Sequence, residues 1–483
     1  MNLNLDNEAE YVSDKNSAFS GASDGATGGA PGGATGGALG GATGGAPGGV
    51  TGGMPGVAIT KGSSVGVKIA KNTIYQMVGK VVSMLITVSI VLLVTKNYGR
   101  EGYGAFSLMQ TWPALFFVIV DFGINAIATR ELSKDWKKAS VYFSNILLIR
   151  LAFSVFLIIL LTAVLNFFPY GNELKKGIFL SLFLILTQAL YTTTNIIFQV
   201  KLRYDLSVAG YLAGYLAIFV LALLLSGSHA DVRLLSFSYV LGGAVTFLLN
   251  LFFVRKMGVA VDFKVDMQVI KYLLASSLPL GMMFVFSQIN FKADSILLSV
   301  LTLPKNFNLT NIESVAVYSL PYKIFEVALV VPTFIMNSVF PVMVGKLAVG
   351  KKELLKLLKK SMYFLAGSAV LCSSVGVLLA PWIVNILGGS EFSQSVTVLR
   401  ILLAGLIFYF STQPIAWFIV SLDGQKYLPV IYLVSAIFNV SANYIFIQKY
   451  SYLASSVITH LSELLILILL IFTARKVWKE KNA

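Results

Sequence analysis

Long apolar runs fix what this chain can become. From Lys71 onward, roughly twelve runs of about 20 apolar residues follow one another, separated by short polar segments. They fall near 72–95, 102–129, 141–167, 177–199, 207–226, 234–254, 273–300, 314–344, 361–380, 395–420, 428–448 and 452–473. In lipid no water satisfies backbone N–H and C=O groups. A spanning segment must therefore bond within itself as a helix, or close into a barrel. These runs are not short alternating strands, so helices are expected. The fold expectation is an all-α polytopic membrane protein, about 12 transmembrane helices in two pseudosymmetric six-helix lobes. Composition agrees, with 56% of residues hydrophobic and 12% charged.

The net charge of +15 would suggest nucleic acid in a soluble protein. Here the cations sit mainly in loops, and their first role is orientation. With the N-terminus in the cytoplasm, 24 Lys and Arg fall in inside segments and 7 in outside segments. That bias places both termini inside and leaves no nucleic-acid partner to expect. Membrane lipid is the expected contact of most inside cations. The cluster KKELLKLLKK (351–360) is basic and amphipathic, and is expected along the cytoplasmic interface. One cysteine, Cys372, excludes an intrachain disulfide. With only His229 and His460 besides, neither a Cys nor a His metal cluster is expected. No P-loop, HExxH or GxSxG pattern occurs, so no catalytic residue, metal or cofactor is assigned.

The first 64 residues differ from the rest. Residues 28–55 are seven four-residue units that open on GG, five of them GGAx and the last two GGVT and GGMP. Glycine carries the largest ordering entropy and this segment offers almost nothing to bury, so a disordered cytoplasmic tail is expected over 1–64.

The remainder reads as two halves, 65–260 with helices 1–6 and 261–483 with helices 7–12. At an offset of 212, EGYGAFSL (101–108) overlays ESVAVYSL (313–320), and QMVGK (76–80) overlays QINFK (288–292). Eleven identities fall over 76–125 without a gap. Each half has an even number of helices, so the repeat would be parallel, about an axis along the membrane normal. Gln76 and Lys80, like Gln288 and Lys292, share a helix face at i, i+4. Each half thus offers one Gln–Lys face in its first helix.

Ionisable residues inside spans usually face a protein interior or a watery cavity. Lys80 lies about 13 Å from the inner edge, counting from Lys71, and Arg150 is at comparable depth. Lys323 falls about 15 Å from the outer edge. If VIKYLLASS (269–277) lies along the interface and the span begins near Pro279, Lys292 matches the depth of Lys80. Lys80, Arg150, Lys292 and Lys323 are therefore candidate cavity cations, against a structural alternative of pairing or snorkelling. Glu326, at i, i+3 from Lys323, is its rival partner. Asp121 is expected to pair with a base or cap a helix. Glu463 reads as buried structural polarity or as a proton or cation site. Asp294 stands about 200° around the helix from Lys292, on the face of Asn290, and is expected to make an inter-helix contact. A cationic chamber in lipid suits an anionic headgroup such as a diphosphate.

Three segments carry a family resemblance. NYGREGYGAFSLMQTWPALFFVIVDFGINAIATREL (97–132) resembles the second-helix signature of polysaccharide-unit flippases, the Wzx-like branch of the multidrug/oligosaccharidyl-lipid/polysaccharide exporter superfamily. INFKADSILL followed by VAVYSLPYKIFEVALVVPTFIMNSVFPVM resembles its helix 7–8 stretch, and LRILLAGLIFYF its helix 10. The resemblance covers about 65–480. It implies two lobes that rock between inward- and outward-open states. The implied substrate is an undecaprenyl-diphosphate-linked oligosaccharide repeat unit, moved across a bacterial plasma membrane. By this resemblance Lys80 and Lys292 fall on the cavity-lining first helices of the lobes. With Lys323, Arg150, Gln76 and Gln288 they are the candidate substrate-binding residues, and Glu326, Glu463 and Asp121 are candidates for ion coupling. Polysaccharide-assembly proteins are the expected partners. The glycine-rich tail departs from the family pattern. Two rivals remain at this point: a multidrug cation antiporter of the same superfamily, and a membrane glycosyltransferase or polymerase.

Overall fold

The computed structural model of the protein describes residues 64–228, 230–262 and 264–481, with side chains from residue 74 apart from 341 and 348. The expectation of a disordered tail lies, but for Ser64, outside the described residues, as does His229.

Among the described residues thirteen α-helices follow one another. They are α1 (Ser64–Asp121), α2 (Ile124–Lys134), α3 (Ala139–Leu165), α4 (Asn172–Val200), α5 (Tyr204–Gly227) and α6 (Val232–Lys256). Then come α7 (Met267–Val300), α8 (Asn311–Ala328), α9 (Val330–Val349), α10 (Lys351–Gly388), α11 (Ser395–Ala404), α12 (Leu406–Ser421) and α13 (Leu428–Glu480). Ten helical stretches are long and apolar enough to cross a bilayer. Two of them hold a pair of passes each. The stretch Ile74–Lys134 has 61 residues, about 90 Å if straight, and a bilayer core is about 30 Å. It turns back at Gly99, where φ is 63° and ψ −164°. The stretch ending in α13 turns in the same way at Ser451, φ 49° and ψ −137°. Ten stretches with two turned back give twelve passes. Residues 64 and 481 then lie on one face, here the terminal face, and the turns at Gly99 and Ser451 lie on the far face.

Three passes are broken within the membrane. α1 ends at Asp121 and α2 starts at Ile124, with Phe122 (φ 39°) and Gly123 (φ 74°) left-handed between them. α8 stops at Ala328 and α9 resumes at Val330. Pro332 lacks the N–H that would bond the Ala328 carbonyl, which explains a break at that place. The pass of α11 and α12 breaks at Gly405, against which the His460 ring packs so closely that an added Cβ would meet Nδ1 at 2.1 Å.

Helices α3 to α6 pack on one another and on α1, while α7 and α10 to α13 form a second bundle; α1 crosses between them to meet α7 and α8. α5 and α6 approach through Gly214 and Gly242, each near the other's backbone oxygen, as small residues permit in membranes.

Two sequence expectations are corrected. Residues 269–277 do not lie along an interface, because α7 runs unbroken from Met267 through Pro279 to Val300. The basic stretch 351–360 is the first part of the 38-residue α10. At about 57 Å, α10 exceeds a bilayer, so its first turns stand out of the membrane in line with the span. At the start of α10, Lys351 stands 6.0 Å over the Trp478 ring of α13 and donates to the Lys481 carbonyl, which ties those turns to the end of the chain's last helix.

Candidate functional site

A cavity of about 50 Å³ lies between α1 and α8, lined by Lys80, Ser83, Thr87, Lys323 and Glu326 among others. Such a space holds a few waters and is well below the 300–1,000 Å³ of an open ligand site. Glu326 is the hub. Its Oε1 accepts from Lys292 Nζ at 2.7 Å and its Oε2 from Lys323 Nζ at 3.1 Å. The Lys292 and Glu326 side chains are 5% and 9% exposed. Lys292 Nζ also stands 5.5 Å over the Tyr322 ring. Lys80 is buried beside them on the cavity wall. Among the described residues no carboxylate comes within ion-pair distance of Lys80. Two ammonium groups therefore share one carboxylate, a third, that of Lys80, stands on the same cavity wall without one, and the formal charge of the four groups is positive.

Each position follows from its helix. Lys323 and Glu326 are i, i+3 on α8, just before the break at Leu329. Lys292 comes from α7, and its side chain points toward the helix start, which is the direction of Glu326. The expectation that Lys292 and Lys80 lie at equal depth is corrected. Lys80 precedes the Gly99 bend by about 28 Å of helix, but Lys292 is only about 12 Å from the end of α7. The reason is the long link from Val300 to Asn311, which has no counterpart at Gly99.

Arg150 is elsewhere. It is fully buried in the first bundle, where Nη2 meets Asp121 Oδ1 at 2.6 Å and Asn125 Oδ1 at 3.0 Å. Its Nη1 donates to Thr193 Oγ1 at 2.9 Å and Thr192 Oγ1 at 3.2 Å. Arg150 thus ties α3 and α4 to the break between α1 and α2, and it is not on the cavity wall. Asp121 pairs with a base, as expected, and Arg150 neutralises it.

The two glutamines diverge. Gln288 is buried and donates to the Ala114 carbonyl of α1 at 3.0 Å, a helix-to-helix tie. Gln76 is half-buried near the start of α1. Asp294 makes the expected inter-helix contacts. It accepts from Tyr318 at 2.7 Å, Thr459 at 2.9 Å and Asn443 at 2.9 Å, all neutral donors. The spacing of Asn439 and Asn443, i and i+4 on α13, was the sequence signal for this polar seam, and sequence reasoning passed it by. Glu463 is buried and accepts from Thr412 at 2.6 Å.

On the far face α1 is tied to α8, beside a groove of about 1090 Å³ lined by Glu101, Tyr170, Arg233 and Glu313 among others. Arg100 at the Gly99 turn bonds Glu313 Oε1 at 2.6 Å, and its N–H donates to Glu391 Oε2 at 3.1 Å. Glu313 also caps α8 by accepting from the Thr310 N–H. A Cβ on Gly104 would lie 2.1 Å from the Ile312 carbonyl oxygen, so α1 touches the α8 backbone there. Nearby, the Arg233 guanidinium holds the Asp231 carboxyl below the usual carboxylate range. Toward the terminal face α9 leaves α1 and packs on α10 and α12. Ile74, Val78 and Val81 of α1 are exposed along that stretch.

A twelve-pass helical bundle with a cationic cluster buried between its halves defines a membrane transporter. A family model described as Polysaccharide biosynthesis protein matches residues 69–345, more than half of the chain. The chain belongs to this family. A second model, MatE, matches residues 307–445. No curated protein matches the chain. Among solved structures, the chain is similar to an inward-facing multidrug resistance MATE family transporter of the MOP superfamily. The TM-score is 0.66 at 14% identity, covering 82% of this chain and 96% of that one. The lipid II flippase MurJ in an inward closed conformation gives 0.66 at 16% identity, covering 83% and 87%. A MOP superfamily transporter from Pyrococcus furiosus gives 0.61 at 16% identity, covering 86% and 96%. At these identities the likeness is one of fold.

Proposed function

We propose that the protein is a flippase. It would carry an undecaprenyl-diphosphate-linked oligosaccharide repeat unit across a bacterial plasma membrane by alternating access, for surface polysaccharide synthesis. The observation that carries this reading is the cluster of Lys80, Lys292 and Lys323 around the single carboxylate of Glu326. Positive charge buried at membrane depth is tolerated where an anion completes it. A diphosphate is such an anion, and the lipid tail need not leave the bilayer. Residues 65–260 and 261–483 act as the two lobes. Both termini are cytoplasmic, so the far face is the outer one and α1 and α9 part on the inner side. The sugar enters there, and the small cavity widens as the lobes separate. Arg150 and Gln288 are assigned to structure, and Gln76 to the entrance. Lipid-linked substrate and membrane lipid are the partners, with polysaccharide-assembly proteins acting next; no reaction is catalysed.

Export of organic cations would need a site led by Asp121, Glu326 or Glu463. Arg150 neutralises the first and two lysines the second, which favours the anion. The test is deletion of the protein followed by analysis of lipid-linked intermediates. Repeat units should accumulate on the cytoplasmic leaflet, and Lys80→Ala with Lys292→Ala should reproduce that accumulation while inserting normally. Normal surface glycan with lost drug resistance would refute the reading.

A further inference from the structure

The hub of the cationic cluster is itself an anion, and its geometry suggests what it does. Glu326 gives one oxygen to Lys292 and the other to Lys323. Two oxygens of one phosphoryl group would engage two ammonium groups in the same way. We propose that Glu326 is a resident stand-in for the substrate's diphosphate. This rests on reading Lys80, Lys292 and Lys323 as the headgroup site. Without cargo, Glu326 holds Lys292 and Lys323 at the centre and keeps two buried charges from standing unpaired. When a diphosphate arrives, it takes over both ammonium groups together with Lys80, and Glu326 withdraws. When Glu326 returns to its lysines, the cargo is expelled.

Two features of the chain make the exchange workable. First, Lys80 shares the cavity wall with Lys323 and Glu326, so an anion meets Lys80 before it displaces anything. Second, the helix breaks within three residues of Glu326, at Leu329. The end of α8 can turn there without dragging α9. The exchange also sets specificity. A ligand must offer more negative charge than a carboxylate to win the two lysines, which selects a diphosphate headgroup over neutral or singly charged lipids. Internal competition of this kind weakens binding on purpose, so that cargo can leave.

The experiment is calorimetric titration of the full chain in lipid nanodiscs with inorganic pyrophosphate and with farnesyl diphosphate. Glu326→Gln removes the competing charge at nearly constant shape. Its affinity for both probes should rise at least about fivefold, the lower end of ordinary coupling between sites. Adding Lys323→Met should abolish the gain. Glu326→Asp retains the charge for folding but is too short to hold both lysines, and should give a smaller gain of the same sign. Unchanged or weaker binding in both variants overturns the proposal. If the wild type binds, and Lys80→Ala or Lys292→Ala weakens it while Glu326→Gln does not strengthen it, the stand-in role fails and the headgroup site survives. If no variant binds either probe, both fail. A gain confined to inorganic pyrophosphate overturns the lipid headgroup as occupant.

Discussion

Asp121→Ala tests whether Arg150 belongs to the structure or to the transport site. Removing one partner of a buried ion pair generally costs about 3–5 kcal/mol, because the other charge stays buried and uncompensated. Here Arg150 is 0% exposed and Asp121 21%. Arg150 keeps Asn125 and Thr193 after the substitution, so the expected loss is at the lower end, about 3 kcal/mol. The reverse change, Arg150→Met, leaves Asp121 partly exposed and still bonded to Asn125. Its loss should be smaller, about 1.5–3 kcal/mol for a charged hydrogen bond. The double variant removes both charges and should recover most of the Asp121→Ala loss. Equilibrium unfolding in mixed micelles reads all three. Transport of lipid-linked substrate is then measured on the folded double variant, and should be retained within a few-fold. Equal losses in the two single variants, or a folded double variant without transport, would refute the assignment of Arg150 to structure.

Two further perturbations address the gates. Gly104→Ala puts a Cβ against the Ile312 carbonyl and Arg100→Ala removes the tie to Glu313. The first should destabilise the contact of α1 with α8 by about 1–3 kcal/mol and the second by about 0.2–1 kcal/mol; labelling of a cysteine placed at Ser314, fully buried here, should rise more in the first than in the second. Pro332→Ala restores an N–H for the Ala328 carbonyl. It should straighten the pass of α8 and α9 and slow transport without loss of thermal stability, and unchanged transport would remove the break from the mechanism.

The helical architecture was legible because its cause is local. Every apolar run of spanning length became a pass, and the inference needed only lipid's lack of hydrogen-bond partners. The opposed faces of Lys292 and Asp294 were legible for the same reason, since two positions on a helix fix an angle. Lys292 turns to Glu326 on α8, while Asp294 turns to Asn443 and Thr459 on α13 and to Tyr318 nearer the start of α8. The pairing of Lys323 with Glu326 also follows from spacing. That Lys292 joins them, or that Arg150 is the base for Asp121, depends on which helices touch. No single helix encodes that. The breaks were illegible in another way. Gly123 and Gly405 sit inside continuous apolar runs, where nothing local marks a break; Leu280 packs against the first and His460 against the second. The upright start of α10 was missed because a basic amphipathic pattern suits a membrane surface as well as a neighbouring helix.

Burial alone does not separate structural charge from functional charge here, because Arg150 is more buried than any of the three lysines. Charge balance separates them. Arg150 and Asp121 offset one another, and four oxygens from α1, α2 and α4 lie within 3.2 Å of the two terminal guanidinium nitrogens, although Nε has no partner among the described residues. An anion entering there would have to displace Asp121 from Arg150. Around Glu326, two ammonium groups bond one carboxylate and Lys80 adds a third cation on the same wall. The excess has to be borne at some expense in stability, and an anion that enters lowers it. The lobes enclose that excess between α1, α7 and α8, the helices through which the two bundles meet. On the proposed reading, an anion bound there changes the electrostatic balance at the contact that would open and close. Binding and gating would then be coupled by one set of charges, without a separate relay.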